Sequence, residues 1–146
     1  MRKVLWASLF VAILLSALPA HAQSPNYDVG PVWRVSYYHI KSGQGDAFWK
    51  DFRENLKPVY DAAKKEGLIT DYKVWTNLTT DNPGDWDVAV GILYPNYAAF
   101  DGIDAKAATI SVKHYGSRDA MIEAGKKRND IRELVSSKVA REVTPK

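Results

Sequence analysis

His39 and Tyr37 stand two residues apart in the run VWRVSYYHI, residues 32–40, so an extended chain aims both at the same side. An imidazole titrates near neutrality and can move a proton or ligate haem iron, and a neighbouring phenol can hydrogen-bond a substrate. These two are the catalytic candidates. Two readings of His39 stay open: a general base or haem ligand at a pocket mouth, or a strand-end histidine bonded to the next turn. The second is favoured, because a lone histidine makes no constellation. Trp33, Tyr72, Trp75, Tyr94 and His114 are the candidate ligand-binding residues. The four aromatics sit in runs that read as strands, and aromatic rings with polar tips suit a pocket for a flat organic ligand. They suit a core or a dimer interface equally well. His114, beside Tyr115, either lines that pocket from the helical side or lies on the surface.

Other chemistries find little support. The chain has no cysteine, which removes disulfides, thiolate metal sites and cysteine nucleophiles. Asp85 and Asp87 flank Trp86 and read as a solvated loop; Asp101 and Asp104 have no histidine at a metal-ligand spacing. No metal site and no built-in cofactor is assigned. Lys126-Lys127-Arg128 is followed by Asp130 and Glu133, so the run reads as a solvated helix face. Phosphate loops, G-x-S-x-G and H-E-x-x-H are missing from the sequence.

The 146 residues carry 20 Lys+Arg and 17 Asp+Glu, a formal +3. Residues 1–22 read as a signal peptide. Arg2 and Lys3 precede an apolar stretch over residues 4–18, and Ala20-His21-Ala22 supplies the small-x-small cleavage pattern. Removing them takes away two cations and no acid, so +3 becomes +1. A near-neutral domain is a poor nucleic-acid binder, and no later stretch approaches the roughly 20 apolar residues of a membrane span. The expectation is a periplasmic or secreted bacterial protein, with no nucleic acid and no membrane as partner.

Residues 23–31 read as a lead-in segment, and residues 32–146 as one domain. After the first strand, Lys41-Ser42-Gly43-Gln44-Gly45 is a turn. Phe48, Phe52, Leu56, Val59 and Ala63 then recur at helical spacing. Pro58 predicts a kink, and Gly67 a glycine cap. Residues 68–77 and 86–94 read as two strands joined by an Asn-Pro-Gly loop, forming an antiparallel hairpin. The second alternates Trp86, Val88, Val90, Ile92 and Tyr94 against Asp87, Ala89, Gly91 and Leu93; the small residues predict a close approach on that side. Asn96 caps a short helix over residues 97–100, and residues 103–115 are ambiguous. Ser117 caps a last helix reaching Ser136, with Ile122, Ile131, Leu134 and Val135 as apolar positions. Residues 138–144 alternate as a final strand. The order β-α-β-β-α-β predicts an α+β, ferredoxin-like fold: an antiparallel sheet with helices on one face.

The strand end His39-Ile40-Lys41, the turn Ser42-Gly43-Gln44-Gly45-Asp46, and Phe48 and Phe52 on the following helix resemble the opening of dimeric α+β barrel proteins. So does the step Tyr94-Pro95-Asn96-Tyr97-Ala98-Ala99-Phe100. That group includes antibiotic-biosynthesis-monooxygenase-like and NIPSNAP-like families, whose usual turn has a proline where Ser42 stands. The resemblance implies a homodimer with two open sheets packed face to face. Its members range from cofactor-free monooxygenases and haem-degrading enzymes to proteins of no known activity, so it implies no single chemistry. An apolar open sheet face also predicts a homodimer on its own account. Three functions remain: binding, with oxidation of an aromatic or apolar ligand; a non-catalytic dimerisation or interaction module; and haem binding through His39 or His114.

Overall fold

The computed structural model describes residues 26–79 and 81–146, so the signal-peptide segment lies outside the described residues. β1 (Tyr27–Ile40) is the sheet's long central strand, and its β-branched and aromatic residues alternate between a face packed on the helices and an open face. Val32 is sealed against the helices, and Tyr38 and Ile40 pack on the same side. Trp33, Val35, Tyr37 and His39 face the other way, as their spacing predicts. β1 starts at Tyr27, earlier than the alternating run beginning at Val32, because its first residues pair with the end of β4 (Arg132–Pro145). The ladder slips between Val29 and Val32, where Gly30 and Pro31 oppose Glu142. Proline brings no N–H to a ladder, and a side chain at Gly30 would meet the Cβ of Glu142 at 3.1 Å, so both residues suit a bulge.

Gly43, at φ 76°, makes the turn into α1 (Gly45–Asp51), and the Gln44 N–H donates to the Lys41 carbonyl at 2.9 Å. The helix passes through a wide π-type turn over Phe52–Leu56 into α2 (Lys57–Lys65). Pro58 has no N–H for the Glu54 carbonyl, and the widened turn just before it absorbs that mismatch where a kink was expected. The helix ends as the sequence predicts. Gly67 takes φ 72°, the Leu68 N–H donates to Ala63 at 2.9 Å, and the Gly67 N–H donates to Lys64 at 3.1 Å.

β2 (Asp71–Thr76) and β3 (Val88–Tyr94) form the expected antiparallel hairpin. Asn96 accepts the Ala99 N–H and caps a short 3₁₀ turn over Tyr97–Phe100. The ambiguous stretch is α3 (Ile103–Tyr115). Ser117 caps α4 (Arg118–Ile131), as expected. α4 stops at Ile131, five residues before the predicted end. Leu134 and Val135 therefore belong to β4 rather than to a helix face. Pairing along almost the whole of β1 overrides their local helical pattern.

The sheet order is β2-β3-β1-β4, all neighbours antiparallel. This is the α+β, ferredoxin-like arrangement, with the helices on one face. The core lies between the layers: Phe48, Phe52, Val88 and Val90 at one end, and Ala63, Ile69, Tyr94, Ile103 and Ile110 at the other. Among the described residues, no helix lies on the second face of the sheet.

Candidate functional site: a tryptophan slot on the open sheet face

Parity on three strands builds the centre of this site, and Ala140 and Glu142 of β4 complete its lining. β1 contributes Trp33, Val35 and Tyr37; β3 contributes Ala89 and Gly91; β2 contributes Lys73 and Trp75. The ladders align Tyr37, Ala89 and Trp75 in one row and Val35, Gly91 and Lys73 in the next. Paired residues project from the same face, so the rings of the outer strands lean inward over small residues on β3.

Gly91 is what lets them lean. A Cβ there would stand 2.7 Å from Cζ3 of Trp75 and 3.1 Å from Cε3 of Trp33. The close approach expected at Ala89 and Gly91 is therefore made by two indoles of the sheet itself. Trp33 and Trp75 meet edge to face with centroids 6.0 Å apart. Tyr37 and Trp86 form a second edge-to-face pair at 5.3 Å. Between and above them lies an open groove of about 590 Å³, within the usual size range of small-ligand sites.

Charges of both signs rim the groove. Glu142 accepts the Trp33 indole N–H at 2.5 Å. The Lys73 ammonium lies 5.6 Å from the Trp33 ring centre, and that of Lys138 lies 5.9 Å from the Tyr37 ring centre.

Trp86 enters from the loop rather than from a strand. β3 begins at Val88, and the alternation that grouped Trp86 with Val88 does not extend to it. Asn77 donates to the Trp86 carbonyl at 3.0 Å and to Asp85 at 3.1 Å. The Trp86 N–H donates to Asp85 at 2.8 Å. The backbone N–H groups of Trp86 and Asp81 and the Asn77 amide hold the Asp85 carboxyl below its ordinary value. Asp85 is thus the organiser of the loop that presents Trp86.

His39 lies one step beyond Tyr37 on the same face, outside the groove lining. Its Nδ1 is 2.9 Å from Oδ2 of Asp87. The two atoms are close without an aligned hydrogen bond, and Nδ1 is shut off from solvent. Asp87 is itself fixed to β1: Oδ2 accepts the Ile40 N–H at 2.6 Å, and the Asp87 N–H donates to the Tyr38 carbonyl at 2.8 Å. An imidazole against a held carboxylate can serve as a base.

The structure brings together Trp33, Tyr37 and Trp75, with His39 adjacent. It separates Tyr72, Tyr94 and His114 from them. Tyr72 and Tyr94 have the opposite parity and face the helices. The Tyr72 hydroxyl donates to Asp61 on α2 at 2.7 Å, and burial together with that carboxylate pushes its pKa up to about 12. Tyr94 is 1% exposed and packs on Phe100; burial raises its pKa as well. His114 ends α3, exposed and edge-on to Tyr115. Lys73, Trp86 and Glu142 are the site residues that sequence reasoning missed. Parity relative to Trp75 would have found Lys73, but no local signal marks Glu142.

Among the described residues no cluster of three or more His, Asp or Glu is placed to hold a metal ion. No helix there is long and apolar enough to cross a membrane.

No protein-family pattern matches the chain, and no curated protein matches it in sequence. Among solved structures it is similar to HapK from Hahella chejuensis, at 15% identity and a TM-score of 0.47, over 76% of this chain and 91% of that one. It is also similar to a dimeric protein of unknown function and ferredoxin-like fold from Bacteroides fragilis, at 15% identity and a TM-score of 0.40, over 80% and 97% of the two chains. A dimeric ferredoxin-like protein from an uncultured marine organism matches at 11% identity and a TM-score of 0.43, over 82% and 96%.

Proposed function

We propose that this chain is a small-molecule-binding protein working as a homodimer. Its open sheet face packs against the same face of a second copy, and the tryptophan slot holds a flat aromatic or apolar ligand. The observation that carries this reading is the slot itself: Trp33, Trp75, Trp86 and Tyr37 around a floor of Ala89 and Gly91, on a face that no helix among the described residues covers. Trp75 is 41% exposed in the single chain. A contiguous aromatic surface of this kind is unusual on a soluble monomer, and a twofold axis covers it with its own copy. Lys73, Lys138 and Glu142 give the rim both signs of charge for pairing across that axis.

Titrating the protein with a panel of flat aromatic compounds while following tryptophan emission tests the ligand. Saturable quenching that disappears in Trp33→Ala and Trp75→Ala is expected. A flat response across the panel would overturn the reading.

Such an assembly is a dimeric α+β barrel. We place the chain beside the antibiotic-biosynthesis-monooxygenase-like and NIPSNAP-like families on the resemblance of residues 39–46 and 94–100. A second reading, oxygenase-like catalysis without a cofactor, has the His39–Asp87 contact beside Tyr37 in its favour. There His39 takes the hydroxyl proton of a bound phenol. Dioxygen oxidises the phenolate by four electrons, one oxygen atom replacing a ring hydrogen as a quinone carbonyl and the other leaving as water, and His39 returns its proton to that water. Oxygen uptake with a bound phenol, lost in His39→Gln while binding persists, is the expected result; equal uptake by both proteins would end it. The proposal also includes export, supported by the charged, apolar and Ala-His-Ala segments of residues 1–22. N-terminal sequencing of the exported protein should begin at Gln23, and a start at Met1 would overturn it.

A further inference from the structure

Behind the sheet, β1 turns Arg34, Ser36 and Tyr38 toward the helices. The half-buried Arg34 guanidinium lies 5.5 Å from the ring centre of Tyr94 and 6.0 Å from that of Phe100. It has no ion pair and no hydrogen bond among the described residues. Arg34 opens onto a cleft of about 250 Å³, lined also by Ser36, Tyr38, Tyr60 and Ser137. Ser36 and Ser137 approach each other at 3.3 Å, while the Tyr38 and Tyr60 hydroxyls have no hydrogen-bond partner among the described residues. A second space of about 220 Å³ shares Arg34, Tyr60 and Ile92 with this cleft, and Leu56, Val59, Ile103 and Ile110 make it largely apolar.

The electrostatics of the cleft are one-sided. Burial pushes the Tyr60 hydroxyl up to about 12, and the charged side chains that act on it are Arg132, Arg128 and Arg34, with no carboxylate. Asp104 lines the apolar space without forming an ion pair to Arg34. A cation drawn partly out of water beside unpaired hydroxyls is costly without a counter-charge. What is missing is an anion. The adjoining apolar space adds a second requirement, a tail.

We propose that this cleft binds a small amphiphilic monocarboxylate. Its carboxylate sits on the Arg34 fork and the Tyr38 and Tyr60 hydroxyls, and its tail fills the space between α2, α3 and the sheet. A planar guanidinium matches a carboxylate with two parallel hydrogen bonds. The site lies on the opposite side of the sheet from the tryptophan slot and does not depend on it.

Calorimetric titration of the full protein with octanoate, 1-octanol and inorganic phosphate separates the requirements. Octanoate should bind saturably, with octanol and phosphate each at least about tenfold weaker. From butanoate to octanoate, affinity should rise about threefold to fourfold per methylene. Arg34→Met keeps the apolar stem and should weaken octanoate about ten- to a hundredfold, while Trp75→Ala should leave it unchanged. Octanol or phosphate equalling octanoate in the unaltered protein would overturn the proposal whatever the variants do. Unchanged octanoate binding in a folded Arg34→Met protein, or its loss in Trp75→Ala, would overturn it too.

Discussion

Val32 and Trp33 are neighbours on one strand, and they face two different environments. Val32 is sealed beneath the helices, and Val88, Val90 and Tyr94 join it at 3% exposure or less. Trp33 lies across an open groove with Trp75, and no second layer from the described residues covers either ring. The helix side reaches its packing within the chain, through Phe48 and Phe52 from α1 and the turn after it and Ile103 and Ile110 from α3. The open side buries only its floor: Ala89 is 2% exposed under the rings of β1 and β2. Aromatic residues on the first side hold the fold, whereas on the second they are free to hold something else. Substitution should therefore cost stability on one face and association or binding on the other.

The largest effect belongs to the helix side. Phe48→Ala opens a cavity at the centre of a buried cluster and should cost about 3–5 kcal/mol in chemical denaturation. A loss below about 1 kcal/mol would mean the two faces do not differ as described. Next comes Arg128, whose Nε donates to Asp51 at 2.8 Å with both side chains largely shielded, and which also bonds the Tyr115 hydroxyl. Arg128→Met leaves Asp51 only its bond from Asn55 and takes away the contact to the Tyr115 hydroxyl, and should cost about 2 kcal/mol. Little change would make the pair a surface contact of α1 and α4.

Alkaline pH probes the same side more gently. Tyr60 and Tyr72 are both pushed up to about 12, in each case by burial first and, for Tyr72, then by Asp61. A tyrosine with its folded pKa raised stabilises the native state fully below the unfolded value near 10. That contribution fades as pH rises toward 12. Stability should therefore fall between about pH 10 and 12, and the fall should shrink in Tyr72→Phe. Ultraviolet tyrosinate absorption would register both groups ionising late. The smallest stability effect is expected on the open face: Trp75→Ala should cost about 1 kcal/mol or less, and Gly91→Ala little more, because the indole it displaces is free to swing. Both should nevertheless abolish ligand quenching. A large stability loss in either would make the tryptophans structural.

The sequence made much of this division legible. Alternation along residues 32–40 separates Trp33, Tyr37 and His39 from Val32 and Tyr38, and the small residues at 89 and 91 mark a close approach without revealing that the sheet's own indoles make it. Capping residues were equally clear, since Asn96, Ser117 and Gly67 each act through a local hydrogen bond or backbone angle that sequence spacing reveals. Less legible were features decided by distant partners. Leu134 and Val135 look helical until β1 pairs with Leu134 and Ser136 and leaves Val135 as a bulge between them, and β1 itself starts early because β4 reaches that far. Tyr72 and Tyr94 were grouped with Trp75 by strand membership, when parity assigns them to the helix side. Trp86 depends on a loop held by Asn77 and Asp85, and Glu142 reaches Trp33 across 109 residues of sequence. Arg34 was hidden for a different reason: its lack of a counter-charge is a property of its surroundings, which no spacing displays.

The covered open face is the central claim, and sedimentation equilibrium of the protein from Gln23 to Lys146 at micromolar concentration tests it most directly. The account predicts a dimer for the unaltered protein and a folded monomer for the Trp33→Ala, Trp75→Ala double variant. A monomer for the unaltered protein, or a dimer that the double variant leaves intact, would contradict it.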